Sequence, residues 1–349
     1  MNTSWFYETF NEDNRQNYQQ NYPQFASFTV LSLSVFFIIV GTLGNTLAII
    51  VFLNCQKLRR QPTTIFIMNL TIADLMISSI SLPLMTMDFS TNDMTDNFFC
   101  KIAAVMYYGN MSVSLFTLVA IAINRYILIV KPQINSGIYT PRNILIMIVS
   151  IWILSYSLLL PMIFGIWGSI GFDKKVLLWE ILKNDGDFVN PKKIMIPIEF
   201  FLSCIIISFS YYFIYQKIKE SRQKLLSYSP SQTTATATAT RSSKKDSQET
   251  EITYLMFKIF IGFLACFLPT VLVNIFDSEG KYPVYHLVES MTSCASVVIN
   301  PIIYVSTNKL YRAAFREFFS QTFRAVSGTN QHHNNTSNRQ PQISSVPPM

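Results

Sequence analysis

Charged residues are scarce in this chain. Only 13% of its 349 residues are Asp, Glu, Lys or Arg, whereas a soluble globular protein carries about 25%. Four long stretches contain no acidic or basic side chain at all: 16–56, 102–124, 143–172 and 290–308. Half of all residues are hydrophobic. This composition argues against a water-soluble fold, because buried helices of soluble proteins seldom exceed 20 residues.

Seven segments are long and apolar enough to cross a bilayer as helices, which takes roughly 20 residues each. Three of them contain only one or two charged side chains, and the others lie mainly in the uncharged stretches. We number these predicted spans one to seven; they cover about 26–53, 64–87, 101–130, 143–167, 194–218, 252–276 and 283–307. The sequence therefore predicts an all-α membrane protein, a bundle of seven transmembrane helices.

A cleavable signal peptide is also missing from the beginning of the chain. Residues 1–25 are polar and lack an apolar core, so we expect span one to act as its own insertion signal. Residues 1–25 would then form an extracellular tail. Asn2 begins an Asn-Thr-Ser sequon, which makes it a candidate glycosylation site if that end lies outside.

The charges of the loops predict the orientation, because short cationic loops remain in the cytoplasm. The loop after span one, NCQKLRRQP, carries three cations, whereas the loop after span two, DFSTNDMTDNFF, carries three acids and no base. The segment 216–258 contains eight Lys or Arg against four acids. We expect a multi-pass protein of the plasma membrane with its C-terminus inside. This topology explains the net charge of +7 without a nucleic-acid partner.

Two inner segments are too polar to join a core. Residues 229–248, within a third inner loop of about 219–251, and the tail at 321–349 are both predicted to be disordered. Residues 308–320 repeat apolar side chains at helical spacing and carry cations on another face. This pattern predicts a short amphipathic helix on the inner leaflet, with its cations toward the lipid headgroups.

Four polar residues from four different spans are predicted at one depth. At 1.5 Å per residue they fall within about one helical turn of each other: Asn45, Asp74, Ser114 and Asn300. An acid at the midplane costs about 2.5–3.5 kcal/mol on insertion scales. Polar partners would offset that cost, so we expect one cluster around Asp74.

A permanent cation, Arg125, follows Asn124 at the inner edge of span three. Glu249 lies twenty residues before Pro269, which is about 30 Å of helix, and therefore belongs at the inner edge of span six. An Arg125–Glu249 pair would tie these two spans together. Pro269 and Pro301 lie inside spans six and seven, where each removes a backbone hydrogen bond and should kink its helix.

The order of these motifs resembles that of a rhodopsin-like, class A G-protein-coupled receptor, over about residues 28–320. The matching motifs are Gly-Asn with Asn45, NLTIADL with Asp74, Cys100 at the top of span three, NRY at 124–126, Trp152 in span four, FLP with Pro269 and NPIIY at 300–304. The resemblance implies a receptor without enzymatic activity. It would bind an extracellular ligand and activate a heterotrimeric G protein when span six moves outward. Arrestin and receptor kinases would be further partners.

The resemblance also assigns roles to single residues. The polar cluster would hold a sodium ion and water through Asn45, Asp74, Ser114 and Asn300. Arg125 would engage the G protein, and Tyr212 and Tyr304 would hold the open state. The remaining members of the activation switch would be Asn124, Tyr126, Glu249, Phe267, Pro269, Asn300 and Pro301.

Several departures from the family pattern are visible. The family usually has an acid where Asn124 stands, Trp where Phe267 stands and Pro where Cys204 stands. The second outer loop, about 168–193, contains no cysteine, so the family's disulfide from Cys100 to that loop cannot form within this chain. With Asn at the position of the acid, the chain resembles a melatonin-receptor-related, moody-like group of invertebrate receptors.

Helix counting with the family geometry places eight side chains toward an outer cavity: Tyr107, Tyr108, Met111, Glu199, Phe267, Asn274, His286 and Glu289. Tyr107 occupies the place where amine receptors carry Asp, which argues against a typical monoamine. Cys294 occupies the place of the retinal lysine of opsins, so no retinal cofactor is expected. Two acids and several aromatic residues indicate a cationic or amphipathic ligand, such as a peptide.

Two other classes of membrane protein are weighed against the receptor. An ion-coupled transporter or channel would use Asp74, Glu199 and Glu289 as an ion path, but transporters commonly show repeated halves, and none is visible here. An integral-membrane hydrolase would need paired catalytic acids or a His/Asp set near one face. His286 alone at an outer end does not supply one.

Overall fold

The apolar stretches of the chain form seven membrane-spanning helices. The computed structural model describes residues 24–59, 61–91, 98–227, 236–307, 309 and 311–320. Within these residues, seven helical segments are long and apolar enough to cross a membrane: Ser27–Asn54, Pro62–Met87, Phe98–Val130, Pro141–Ile163, Pro191–Ser221, Thr250–Phe276 and Pro283–Thr307. These are spans one to seven. The predicted seven-helix fold is confirmed, with ends that differ by a few residues.

Some spans are interrupted helices. The helical segments are Gln24–Asn54, Gln56–Arg59, Pro62–Met76, Leu82–Thr91, Phe98–Val130, Pro132–Ile138, Pro141–Ser157, Leu160–Ile163, Pro191–Ser227, Thr236–Phe276, Pro283–Cys294 and Ser296–Thr307, with a π-helix at Ile77–Ser81. A further short helix over residues 311–320 follows span seven, where the amphipathic pattern predicts one. The π-helix comes just before Pro83, whose ring cannot donate a backbone hydrogen bond.

Spans five and six continue as helices beyond the membrane. Their helices cover Pro191–Ser227 and Thr236–Phe276, so residues 236–248 are helical where the sequence favours disorder. A helix that is already nucleated by a span extends at low cost, because each added residue gains one hydrogen bond. Residues 228–235, the tail at 321–349 and the N-terminal tail with Asn2 lie outside the described residues.

Polar side chains tie the spans together in pairs. The indole N–H of Trp152 in span four donates to Asn69 Oδ1 in span two at 2.8 Å. The amide of Asn69 donates in turn to Thr117 Oγ1 in span three at 2.8 Å. Because lipid offers no hydrogen-bond partner to a polar group, this chain of bonds holds three spans in one relative position.

Spans one and seven are joined through the proline of span seven. Pro301 has no N–H, which releases the carbonyl oxygen of Val297 four residues earlier from its helical bond. The amide of Asn45 donates to that oxygen at 2.8 Å. A Cβ added at Gly44 would lie 3.3 Å from Pro301, so the small residue lets the two helices approach. Asn45 therefore compensates the bond that Pro301 removes.

The second outer loop is a β-hairpin over the outer end of the bundle. Its strands Ser169–Asp173 and Leu178–Leu182 pair antiparallel, with Ile170 opposite Ile181. Trp179, Ile170 and Ile181 pack with Cys100 of span three in one buried cluster. The Cys100 thiol donates to the Leu84 carbonyl oxygen at 3.6 Å. The hairpin thus meets span three through apolar contacts at the place where the family has its disulfide.

We predict that Cys100→Ser folds and expresses nearly as the wild type, because the serine hydroxyl keeps a donor for the Leu84 carbonyl oxygen. Loss of a native disulfide from a small secreted domain costs about 2–5 kcal/mol, and no such loss is expected here. The measurement is the melting temperature of both purified proteins, with and without a reducing agent. A melting temperature of the wild type that falls on reduction would contradict the prediction.

Candidate ligand cavity and activation residues

A cavity opens between spans three, five, six and seven beneath the hairpin. Seven of the eight side chains that the sequence places there line it: Tyr107, Tyr108, Met111, Glu199, Phe267, Asn274 and Glu289. His286 does not line the cavity. It lies one layer behind, with its Nδ1 atom 3.2 Å from Glu180, and Glu180 does line the cavity.

Aromatic rings form one wall and the floor. The rings of Tyr107 and Tyr108 meet edge to face at 5.4 Å. The Tyr107 hydroxyl lies 2.7 Å from Ser293 Oγ, so it forms a hydrogen bond between spans three and seven. Phe267 stacks on Phe263 with the ring centroids 4.1 Å apart, at the depth where span six contains its proline. A ligand on this floor would contact the part of span six next to its kink.

Acidic side chains line the cavity. Glu199 of span five accepts a hydrogen bond from Ser112 Oγ at 2.8 Å, and Glu289 of span seven is largely buried. None of the described residues that line the cavity is Lys, Arg or His. Because buried carboxylates require a cation or strong donors, the cavity is suited to a positively charged group.

The midplane cluster forms around Asp74, as its depth predicts. Asn300 Nδ2 donates to Asp74 Oδ2 at 2.7 Å, and Ser114 faces the same carboxylate. Asn45 lies beside the cluster, and its amide donates to the carbonyl oxygens of Gly41 and Val297. Two buried oxygens, Asn45 Oδ1 and Ser114 Oγ, have no partner of regular hydrogen-bond geometry among the described residues, although Ser114 is near enough to Asp74 to act on its carboxylate. The structure thus brings three of the four residues into contact and places Asn45 one step away.

At the inner end, Asn124 lies against two neighbouring elements. Its Oδ1 atom accepts a hydrogen bond from Thr63 Oγ1 of span two at 2.8 Å. The hydroxyl of Tyr139, in the second inner loop, lies near the Asn124 side chain. Burial raises the pKa of Tyr139, against the opposite effects of Asn124 and Arg125. Asn124 therefore joins span three to span two and lies beside the loop.

Arg125 is buried at the inner end, 3% exposed. Its guanidinium group lies near three phenol groups and interacts with them electrostatically: those of Tyr139, Tyr211 and Tyr311. The side chain of Glu249 lies outside the described residues, so the Arg125–Glu249 pair stays a prediction.

The tyrosine of span five that faces the bundle in this structure is Tyr211, and the role of Tyr212 in the open state stays a prediction. Tyr212 is 57% exposed, whereas Tyr211 packs on the core, with its ring 5.2 Å from that of Phe257. Successive residues of a helix point about 100° apart, so these neighbouring tyrosines face different surroundings.

The remaining aromatic residues of the predicted switch lie at the inner ends of the spans. Tyr304 is fully buried, accepts a hydrogen bond from Thr71 Oγ1 at 3.5 Å and stacks on Tyr311. The ring of Tyr126 meets that of Phe213 at 6.2 Å. Tyr304 thus lies between span two and the helix that follows span seven.

The sequence patterns do not predict the pair formed by Glu180 and Lys192. They form a buried ion pair between the hairpin and the first turn of span five. The sequence contains one hint, a lone acid within LWEIL, which is an apolar strand. Its partner is not visible from local periodicity, because the pairing depends on how the loop folds back.

Comparison with known proteins agrees with these features. A family model described as "7 transmembrane receptor (rhodopsin family)" matches residues 44–304. Protein trapped in endoderm-1 of Drosophila melanogaster is 36% identical over 318 residues, which cover 86% of this chain and 80% of that protein. The G-protein coupled receptor moody of the same species is 27% identical over 330 residues, which cover 80% of this chain and 49% of that receptor. The chain therefore spans about half the length of moody.

A solved structure has the same fold. The crystal structure of squid rhodopsin superposes with a TM-score of 0.73, covering 92% of this chain and 94% of that chain. The sequence identity is 22%, so this likeness concerns the arrangement of the helices.

We predict that Tyr211→Ala lowers the melting temperature by several degrees, whereas Tyr212→Ala leaves it nearly unchanged. Truncating a buried aromatic side chain costs up to about 3–5 kcal/mol in a protein core, and a lipid-facing ring has no protein contact of that kind to lose. Thermal unfolding of both variants in detergent measures the difference. A larger loss for Tyr212→Ala would mean that the phase of span five is the opposite one.

Proposed function

This chain belongs to the rhodopsin family of seven-transmembrane receptors, and we propose that its outer cavity binds a cationic extracellular ligand whose signal passes to a heterotrimeric G protein. Membership of a receptor family supports the coupling to a G protein. The relatives give no support to an ion-coupled transporter. The class of ligand rests on the cavity itself.

The observation that carries the ligand class is the pair of acids that spans five and seven contribute to the cavity, in addition to Glu180 of the hairpin. Glu199 and Glu289 face it from spans five and seven, and its described lining contains no basic residue. The faces of Tyr107 and Tyr108 also favour a cation, through interaction with the negative face of the ring. A ligand cation would compensate carboxylates that have little access to water. Retinal is not part of this proposal, because Cys294 has no amine to form a Schiff base.

The route to the inner face runs through span six. Phe267 lies on the cavity floor two residues before Pro269, where the helix lacks a backbone hydrogen bond. A ligand that displaces Phe267 acts on span six at its most easily bent position. Outward movement of the inner half would then uncover Arg125 for the G protein, and Tyr212 and Tyr304 would hold this open state. Arrestin and receptor kinases would meet the same inner face, at the plasma membrane.

A sodium ion fits the midplane cluster and belongs to the same proposal. Asp74 supplies a carboxylate, and Ser114 Oγ and Asn45 Oδ1 are buried oxygens without a partner of regular hydrogen-bond geometry among the described residues. Hard cations prefer such oxygen ligands. The ion would add positive charge beside Asp74 and stabilise the closed bundle.

Expression in a cell without endogenous response tests the coupling. We predict basal output of a G-protein biosensor above that of empty vector. Arg125→Ala should abolish it, because the cation that meets the G protein is removed. Asn124→Asp should lower it several-fold, because an acid gives Arg125 a charged local partner that holds the inactive state by about 1 kcal/mol more.

The matched control for the second variant is Asn54→Asp, which adds the same charge at the exposed inner end of span one. All proteins are compared at equal surface expression. Equal basal output from the wild type and Asn124→Asp would reject the role of Asn124. Ion flux without any biosensor response would favour a transporter.

Sodium is tested without a ligand. We predict that sodium raises the melting temperature of the purified receptor relative to choline at the same ionic strength, since an ion that binds only the folded state stabilises it. Asp74→Asn should remove this difference. Asp185→Asn, which neutralises an exposed acid of the outer loop, is the control and should keep it. A sodium effect that persists in Asp74→Asn would exclude this site.

A further inference from the structure

A buried cluster of charges joins the second outer loop to spans five and seven. Glu180, in the second strand of the hairpin, is 4% exposed, and Lys192 at the start of span five is 2% exposed. The Lys192 ammonium pairs with Glu180 Oε2. The other oxygen, Oε1, lies 3.2 Å from Nδ1 of His286 at the outer end of span seven. A single loop carboxylate therefore contacts two spans.

His286 has hydrogen-bond acceptors on both sides of its ring. Nδ1 faces the Glu180 carboxylate, and Nε2 lies 2.9 Å from the carbonyl oxygen of Asp277 and 3.5 Å from its carboxylate. A neutral imidazole has one N–H, whereas the protonated ring has two. Only the doubly protonated ring donates to both neighbours, so the geometry calls for a positive charge on His286.

The charges of the cluster compensate each other. Burial alone would raise the pKa of Glu180, but Lys192 and His286 hold it below its usual value. Asp277 in turn faces His286 from the third outer loop. Glu289 also faces the cluster, and its carboxylate, that of Glu180 and the imidazole have ligand atoms within 4.8 Å of one another. Lys192 already supplies Glu180 with a cation, and both ring nitrogens have acceptors. The cluster is therefore complete without a metal ion.

The position of Glu180 connects this cluster to the cavity. Glu180 and its neighbours Trp179 and Ile181 belong to the lining, so whatever holds Glu180 also holds the outer wall of the cavity. Cys100, the residue from which the family's disulfide would start, has no cysteine to meet in this loop.

We propose that the Glu180–Lys192–His286 cluster takes the place of the missing disulfide and fastens the hairpin as a lid over the cavity. Lys192 and His286 are then positioning residues for the cavity wall. A disulfide opens only by redox chemistry, whereas an ion pair separates whenever one partner finds another counterion. The lid can therefore open to admit a ligand without chemical change. This inference concerns the loop and does not depend on the class of ligand.

Isosteric variants of the ion pair provide the test. We compare Glu180→Gln, Lys192→Met and the double variant as full-length receptors in lipid nanodiscs, by amide hydrogen exchange of residues 169–182. Removing one partner of a buried pair leaves an uncompensated charge, whereas removing both costs far less. Each single variant should speed exchange of the hairpin by about tenfold or more, which corresponds to about 1.4 kcal/mol. The double variant should change it less than the two singles combined.

The controls separate positioning from general stability. Lys193→Met removes the neighbouring exposed cation and should leave hairpin exchange unchanged. Lys192→Arg keeps the charge and should restore most of the protection. His286→Gln should also speed amide hydrogen exchange of the hairpin, because a neutral amide replaces the cation.

Three results would overturn the proposal. The first is hairpin exchange in Glu180→Gln and Lys192→Met equal to that of the wild type. The second is an equal effect of Lys192→Met and Lys193→Met. The third is faster exchange spread over all seven spans, without a preference for the hairpin. The exchange measurement needs neither ligand nor G protein, so it tests the lid proposal independently of the signalling assay.

Discussion

The interior of a bilayer contains no water, and each buried polar group of this chain must therefore find its partner within the protein. Pro301 illustrates the consequence, because the carbonyl oxygen that it releases is bonded by Asn45 from another span. Spans two, three and four are linked for the same reason, through hydrogen bonds between the side chains of Asn69, Thr117 and Trp152. Polar residues that look isolated along the chain thus form hydrogen bonds between helices. These bonds fix the relative positions of the spans that carry the other sites.

Function is expected where this compensation is incomplete. Glu199 of the cavity has a hydroxyl neighbour, Ser112, and the described lining contains no basic residue. The oxygens near Asp74 include two without a partner of regular hydrogen-bond geometry in the described part of the chain. Both places therefore favour an incoming cation, a ligand group in one case and an inorganic ion in the other. The hairpin cluster differs, because Lys192 and His286 already balance the charge of Glu180.

Two of the departures from the family pattern have local physical explanations. At position 124 an amide still accepts a hydrogen bond from Thr63 and reaches Tyr139, so it keeps the structural contacts of an acid but not its charge beside Arg125. In the outer loop, apolar packing around Cys100 and the buried ion pair do together what one covalent bond does elsewhere. Neither departure disturbs the helical frame.

The sequence by itself determined the number and order of the spans, because hydrophobic length is a local property. It also determined the depth of Asp74 and Asn300 and seven of the eight cavity residues, since the helix rise is constant. Only the tertiary structure decided whether Tyr211 or Tyr212 faces inward, which depends on the rotation of a helix about its axis. It alone brought Glu180 to His286, 106 residues away. The physical reason is the same in both cases, because periodicity fixes positions within a helix but not the contacts between separately folded elements.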